Sequence, residues 1–286
     1  MDNRLDAIIP SKDRALQLRL LLETIKQNAN NIFDKIHIIY KGSDDLYEQG
    51  YEKLQHESIL DNIVWVKEED FVGDFLSSLT NGESEYVCGI VDDCVFYKKV
   101  CATKELILDT FDEDVFCFSF RMGLNTTTQN YLQPTRQYKL KDYTYSSHFI
   151  KWNWTDWDSV LNYGYPISLD GHIFRRKELS ELSTKYKFDY LRQWEGVLAG
   201  NTRNDKTNNL GKHMTAFHQN VLFSIPANCV QDPPLISGQI HHYDEKSLNE
   251  LYLQDKVLDL EAMEFAFQNV TWCHKEIPFL YKNLGG

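Results

Sequence analysis

One run of six residues constrains this chain more than any other: Tyr86-Val-Cys-Gly-Ile-Val91, apolar apart from Gly89 and without polar alternation. Such a run predicts a strand buried on both faces of a sheet. It stops at two adjacent carboxylates, Asp92 and Asp93. Side-by-side acids at a strand end repel each other unless a cation, a basic side chain or a proton intervenes. A divalent metal that accepts oxygen ligands is one answer, and an acidic cap on an ordinary strand-to-loop turn is the other.

The segments ahead of this run decide what kind of sheet it belongs to. Leu5 to Pro10 (LDAIIP) predicts a short strand halted by its proline. Ser11-Lys-Asp-Arg14 follows, then a helix with Leu18, Leu21, Leu22 and Ile25 at i, i+3, i+4 and i+7. A second strand is expected at Lys35 to Tyr40, before a helix carrying Tyr47, Gly50, Tyr51 and Leu54, and a third at Ile63 to Val66, before a helix with Asp70 at its N-cap. Three strand-helix units imply a parallel sheet with right-handed crossovers. The loop after the first strand and the Asp92-Asp93 turn then emerge on the sheet edge where open α/β sheets bind ligands. There Ser11, Lys12 and Arg14 can meet phosphate, or Ser11 can simply cap a helix.

At 286 residues and 42% hydrophobic content one sizeable core is expected. A formal charge of −12 argues against a binder of nucleic-acid phosphates. No signal-like segment and no apolar run of membrane-spanning length is present in the sequence, so the expectation is a soluble cytoplasmic protein, peripheral to a membrane at most. The six cysteines show no CxxC pair or zinc spacing and are expected as reduced thiols. Farther on, a helix near 99–110, a strand at Val115 to Phe120 and a polar, Tyr-rich excursion over 123–147 precede Trp152, Trp154 and Trp157, which can stack on sugar or fill the core. Ile167-Ser-Leu169 predicts a strand leading to Asp170-Gly171, with His172 a satisfied polar group and Arg175 and Arg176 either facing phosphate or solvated. Glu195 falls on a helix beside Trp194, 200–212 reads as a surface loop or lid, and the tail is expected mostly helical from Ser247.

IIPSKDR at 8–14, VDDCVF at 91–96 and the pairing of Asp170-Gly171 with Trp194-Glu195-Gly196 resemble the GT-A glycosyltransferases of the family 2 kind. As an order of elements the resemblance covers residues 5 to 220. It implies an α/β, GT-A-like (Rossmann-type), mostly parallel sheet flanked by helices in a single domain over 1–286. Residues 1–120 would bind a nucleotide sugar, 121–225 the acceptor, and 226–286 would form a C-terminal tail. The implied activity is transfer of a sugar from a nucleotide sugar, foremost a UDP-sugar, to a glycan or glycoconjugate hydroxyl. Pro10, Ser11, Arg14, Tyr40, Asp44 and Asp92 would bind the nucleotide, Asp93 and His218 would hold Mn²⁺ (or Mg²⁺), and Asp170 would accept from sugar hydroxyls. Glu195 would deprotonate the acceptor with inversion, Asp189 being the runner-up. Lys12 stands where the family carries an aromatic residue, and Tyr40-Lys41 where it carries a uracil-reading Asp. A nucleotidyltransferase and a non-catalytic carbohydrate- or nucleotide-binding module are the alternatives; the first usually has a glycine-rich basic loop after its first strand, which IIPSKDR lacks.

Overall fold

The computed structural model describes residues 3–128, 138–158, 162–204, 209–230, 238–268 and 270–285. β1 (Leu5–Lys12) runs two residues beyond the proline expected to halt it. Its pairing on one side ends at Ile8, so at Pro10 only the strand on the other side continues alongside. α1 (Ala15–Asn28) buries Leu18, Leu21, Leu22 and Ile25, as their spacing predicts. β2 (Ile36–Lys41), α2 (Asp45–Glu57), β3 (Ile63–Lys67) and α3 (Phe71–Thr80) follow, with Asp70 accepting from the Gly73 N–H as N-cap of α3. β4 (Tyr86–Ile90) is buried along its whole length. After it come β5 (Cys94–Phe96), α4 (Lys104–Leu108), β6 (Val115–Ser119), β7 (Tyr143–Tyr145), β8 (Phe149–Asn153), β9 (Asp170–Arg175), α5 (Arg176–Lys185), α6 (Leu191–Asn204), β10 (His213–Phe217), β11 (Leu222–Ser224) and α7 (Glu245–Leu253).

Nine strands form one sheet in the order β3-β2-β1-β4-β9-β6-β10-β8-β7. The first four are parallel, as the strand-helix alternation predicts. β6 and β10 are also parallel to each other, but β9 enters between β4 and β6 antiparallel to both, and β8 and β7 close the far side antiparallel. The sheet is therefore mixed. The expected strand at 167–169 is displaced: the strand begins at Asp170 and carries His172, Ile173 and Phe174 between two buried neighbours. His172 is neutral there, its Nδ1 2.9 Å from the Pro166 carbonyl, with burial depressing its pKa to about 3.

This insertion has a topological consequence for the site. Because β9 runs against β4 and β6, its amino end lies at their carboxyl edge, so Asp170 meets the turns that carry Asp92, Asp93 and Arg121. Its other end is far from them. Arg176 there donates to Asp6 Oδ2 at 2.9 Å and to the carbonyls of Ser84 and Leu79, each at 2.9 Å, while Arg175 reaches the carbonyls of Val115, Phe111 and Asp112. Neither arginine faces a phosphate site: Arg176 ties α3 to the amino edge of the sheet, and Arg175 ties the loop before β6 to it.

Core layers cover both faces. Leu5, Ala7, Ile9, Cys88 and Ile90 pack with α1, α2 and α7, and Ile8, Val87, Phe116 and Phe174 pack with α3, α5 and α6. Trp152 and Trp154 belong to the second layer, their indoles donating to the carbonyls of Tyr163 at 2.9 Å and Gly211 at 3.0 Å, so they fill the core and offer no sugar platform. Gly89 lets the chain before β9 approach β4: a Cβ there would lie 2.0 Å from Leu169 Cδ2 and 3.2 Å from Leu169 Cα.

The tail is less helical than expected. Among the described residues beyond α7 it forms the short pair β12 (Lys256–Leu258) and β13 (Tyr281–Asn283) and a 3₁₀ turn, and it returns alongside β11, where the Cys273 carbonyl accepts from the Ser224 N–H at 2.9 Å. Cys88, Cys94, Cys117 and Cys273 are buried free thiols, Cys229 is half-buried and Cys101 is exposed. Among the described residues no helix is long and apolar enough to cross a membrane. Parts of the expected excursion (129–137) and lid (205–208) lie outside the described residues.

Candidate active site

At the carboxyl edge of the sheet a cavity of about 580 Å³ brings together Pro10 and Ser11 from β1, Arg14 before α1, Asp92 and Asp93 after β4, Asp170 from β9 and Glu195 from α6. Its size suits a small-molecule ligand. Lys12, Asp189, Arg192 and His274 also line it, as do Pro226, Asn228 and Cys229 from the segment after β11.

The two adjacent acids are held differently. Asp92 is 4% exposed; its Oδ2 accepts from Ser11 Oγ at 2.9 Å and its Oδ1 from Arg14 Nη1 at 3.0 Å. Ser11 therefore caps no helix: its hydroxyl joins Asp92 to the Tyr51 hydroxyl, 2.8 Å away. Asp93 has a longer contact, Oδ2 lying 3.6 Å from Arg14 Nη1, and its buried Oδ1 finds no hydrogen-bond partner among the described residues. Burial, reinforced by Asp92 and Asp170, pushes the Asp93 carboxyl up to about 7 against the pull of Arg14.

The acids are thus braced by a basic side chain and also open a cavity. An unpaired buried carboxylate oxygen is a place for a cation. No three His, Cys, Asp or Glu side chains among the described residues are already gathered as a metal cage. Mg²⁺ and Mn²⁺ bound with a phosphate ligand need one or two carboxylates and take the remaining oxygens from phosphate and water. Asp93 fits a metal delivered that way.

A second acidic pair forms the other wall. Asp170 is ion-paired with Arg121, whose guanidinium is only 5% exposed at the end of β6. Glu195, on the second turn of α6, accepts from the Leu169 N–H at 2.6 Å through Oε1. Burial and the neighbouring Asp170 charge raise its carboxyl to about 7, opposed by that hydrogen bond and by Arg121. A half-buried carboxyl poised near neutrality can take up a proton at working pH.

Three expected site residues lie elsewhere. Tyr40 packs edge-on to Trp65 and against Tyr51, with ring centroids 5.7 and 5.0 Å away. Asp44 is the exposed N-cap of α2, accepting from the N–H groups of Leu46 and Tyr47. His218 stacks on Tyr145, and its Nδ1 and Nε2 contact the Tyr145 hydroxyl at 3.1 Å and the Ser146 carbonyl at 2.9 Å, so neither nitrogen is directed at Asp93. The imidazole that lines the cavity is His274, brought in where its segment bridges Ser224. Arg121 also went unread, although it ends the apolar run Val115 to Phe120 much as Asp92 ends its own. Asn228 and His274 leave no local signal: only the return of the tail brings them to the edge.

The fold matches that of S. aureus TarS with a TM-score of 0.50 at 12% identity, over 79% of this chain and 37% of that one. It is a GT-A-type α/β fold. In sequence, 197 residues are 26% identical to the bifunctional glycosyltransferase pgtA of Dictyostelium discoideum, covering 63% of this chain. The chain spans about 25% of the length of that relative. No protein-family model matches it.

Proposed function

We propose that this GT-A-type chain is a metal-dependent glycosyltransferase that moves a sugar from a nucleotide sugar, a UDP-sugar first among the candidates, to a hydroxyl of a glycan or glycoconjugate with inversion. The observation that carries the proposal is one cavity holding an unpaired Asp93 oxygen on one wall and a near-neutral Glu195 on the other. The partial similarity to a bifunctional glycosyltransferase supports the same class.

Charge balance supports the cation. Asp92, Asp93, Asp170, Asp189, Glu195 and Glu68 line the cavity against Lys12, Arg14 and Arg192, with Arg121 paired to Asp170, so acids still outnumber bases. A diphosphate entering that field is repelled unless positive charge comes with it. Asp93 would hold Mn²⁺ or Mg²⁺, with Asp92 and Arg14 bracing it; the bound ion would offset negative charge on the departing diphosphate. Asp170, fixed by Arg121, accepts hydrogen bonds from the hydroxyls of the transferred sugar.

Glu195 acts on the acceptor. As the acceptor oxygen bonds to the anomeric carbon, the bond from that carbon to the phosphate oxygen breaks, its electron pair leaves with the nucleoside diphosphate, and the hydroxyl proton passes to Glu195. The hydrogen bond from Leu169 orients that carboxylate.

A nucleotide-release screen over UDP-, GDP- and dTDP-sugars, with and without Mn²⁺, tests the reading. Release that needs the metal, with a product of inverted anomeric configuration, is the expected result. A product anomer identical to that of the donor would remove Glu195 as base. Turnover of nucleoside triphosphates instead would make the chain a nucleotidyltransferase, and no turnover of any donor would leave a binding module.

A further inference from the structure

Two buried polar atoms flank the Arg14 guanidinium without a hydrogen-bond partner among the described residues: Asp93 Oδ1 and Asn228 Nδ2. The first is the atom the proposed cation would take. The second lies on the segment Pro226 to Val230, which borders the cavity after β11.

Asn228 is 5% exposed and firmly oriented. Its Oδ1 accepts from Arg14 Nε at 2.9 Å and from Gln17 Nε2 at 3.5 Å, and its main-chain carbonyl accepts from Arg14 Nη2. A guanidinium carries donors only, so turning the amide over would set N–H against N–H. The Nδ2 hydrogens must therefore point away from Arg14. Leaving such a buried donor unsatisfied is unfavourable. A ligand that brings an acceptor would remove that cost.

Position selects the kind of acceptor. A single guanidinium separates Asn228 from the acids, with Nε and Nη2 given to Asn228 and Nη1 to Asp92 and, at 3.6 Å, Asp93. If a cation on Asp93 grips the diphosphate, a phosphate oxygen is the acceptor nearest at hand. We infer that Asn228 is a donor-binding residue, its amide N–H donating to a diphosphate oxygen of the nucleotide sugar while its two oxygens hold Arg14 in place. This rests on the glycosyltransferase reading of the cavity.

The test is titration calorimetry of UDP and UMP, and of GDP and GMP, in the presence of Mn²⁺, on wild-type protein and Asn228→Asp. The substitution keeps an acceptor for Arg14 and removes the amide donor. The expected result is at least tenfold weaker binding of the diphosphate, with a smaller loss for the monophosphate, in a variant that melts no lower than wild type. Should Asn228→Asp fail to fold, Asn228→Ala, which adds no charge, carries the same comparison. Equal diphosphate affinity in variant and wild type, or equal losses for diphosphate and monophosphate, overturns the assignment and leaves the glycosyltransferase reading intact. Wild-type protein that binds none of the four nucleotides overturns both.

Discussion

Replacing Glu195 with Gln should move stability and activity in opposite directions. Its carboxyl stands at about 7 in the fold against an ordinary 4.5, chiefly because burial and Asp170 penalise the charged form. The folded state therefore holds the proton more tightly than the unfolded chain between those two values. The sign follows: stability from this group is complete below pH 4.5 and is lost as pH rises through about 7. At roughly 1.4 kcal/mol per pH unit the full difference approaches about 3 kcal/mol. Gln keeps an oxygen for the Leu169 N–H and never ionises, so Glu195→Gln should be more stable than wild type by about 1–3 kcal/mol at pH 8.5, with the gap closing toward pH 4.5. Loss of the base should lower kcat by about 10²- to 10⁴-fold. Urea denaturation of both proteins across pH 4.5–8.5 reads the first effect, and nucleotide release reads the second. A gap independent of pH, or a variant less stable at pH 8.5, would refute the account of the Glu195 environment.

Two further substitutions separate the site from the scaffold. Gly89→Ala sets a Cβ 2.0 Å from the Leu169 side chain, so Leu169 must shift. A stability loss of about 1–3 kcal/mol in urea is expected, and a lower kcat with it because the Leu169 N–H holds Glu195. Arg176→Ala removes the guanidinium from the buried Asp6 carboxylate, which keeps a Ser84 hydrogen bond and His37 nearby, and should cost about 3–5 kcal/mol in the same assay. Since Arg176 lies at the opposite edge of the sheet, nucleotide affinity of the folded fraction, measured by calorimetry, should not change.

Legibility in the sequence followed the range of the physical signals. Strands β1 to β4 and their helices carry local periodicity, so their alternation along the chain and their parallel direction are legible in the sequence, and with them the placement of Ser11, Arg14, Asp92 and Asp93 at one edge. Asp170 and Glu195, singled out by motif resemblance, line the same cavity, and the strand begins at Asp170 rather than ahead of it: a run that enters antiparallel between two parallel strands looks no different from one that leads up to them. Tyr40 and Asp44 stand near the strand end where the resembling family reads uracil, but a packed aromatic cluster claims the first and a helix cap the second. His218 has about the right spacing from Glu195, yet β10 is separated from β4 by β9 and β6, which carries its end away from the acids. Asn228 and His274 reach the cavity only through long-range return of the chain, for which no local pattern exists.

The central claim is that Asp93 grips a cation which in turn grips a diphosphate. Phosphorus-31 resonances of UDP, recorded on adding substoichiometric Mn²⁺, test it most directly, because paramagnetic broadening requires the ion to lie against the phosphates. With wild-type protein both resonances should broaden beyond what free Mn²⁺–UDP shows, and the excess should vanish in Asp93→Ala. Excess broadening that survives in Asp93→Ala, or UDP that binds equally well with and without a divalent ion, would contradict it.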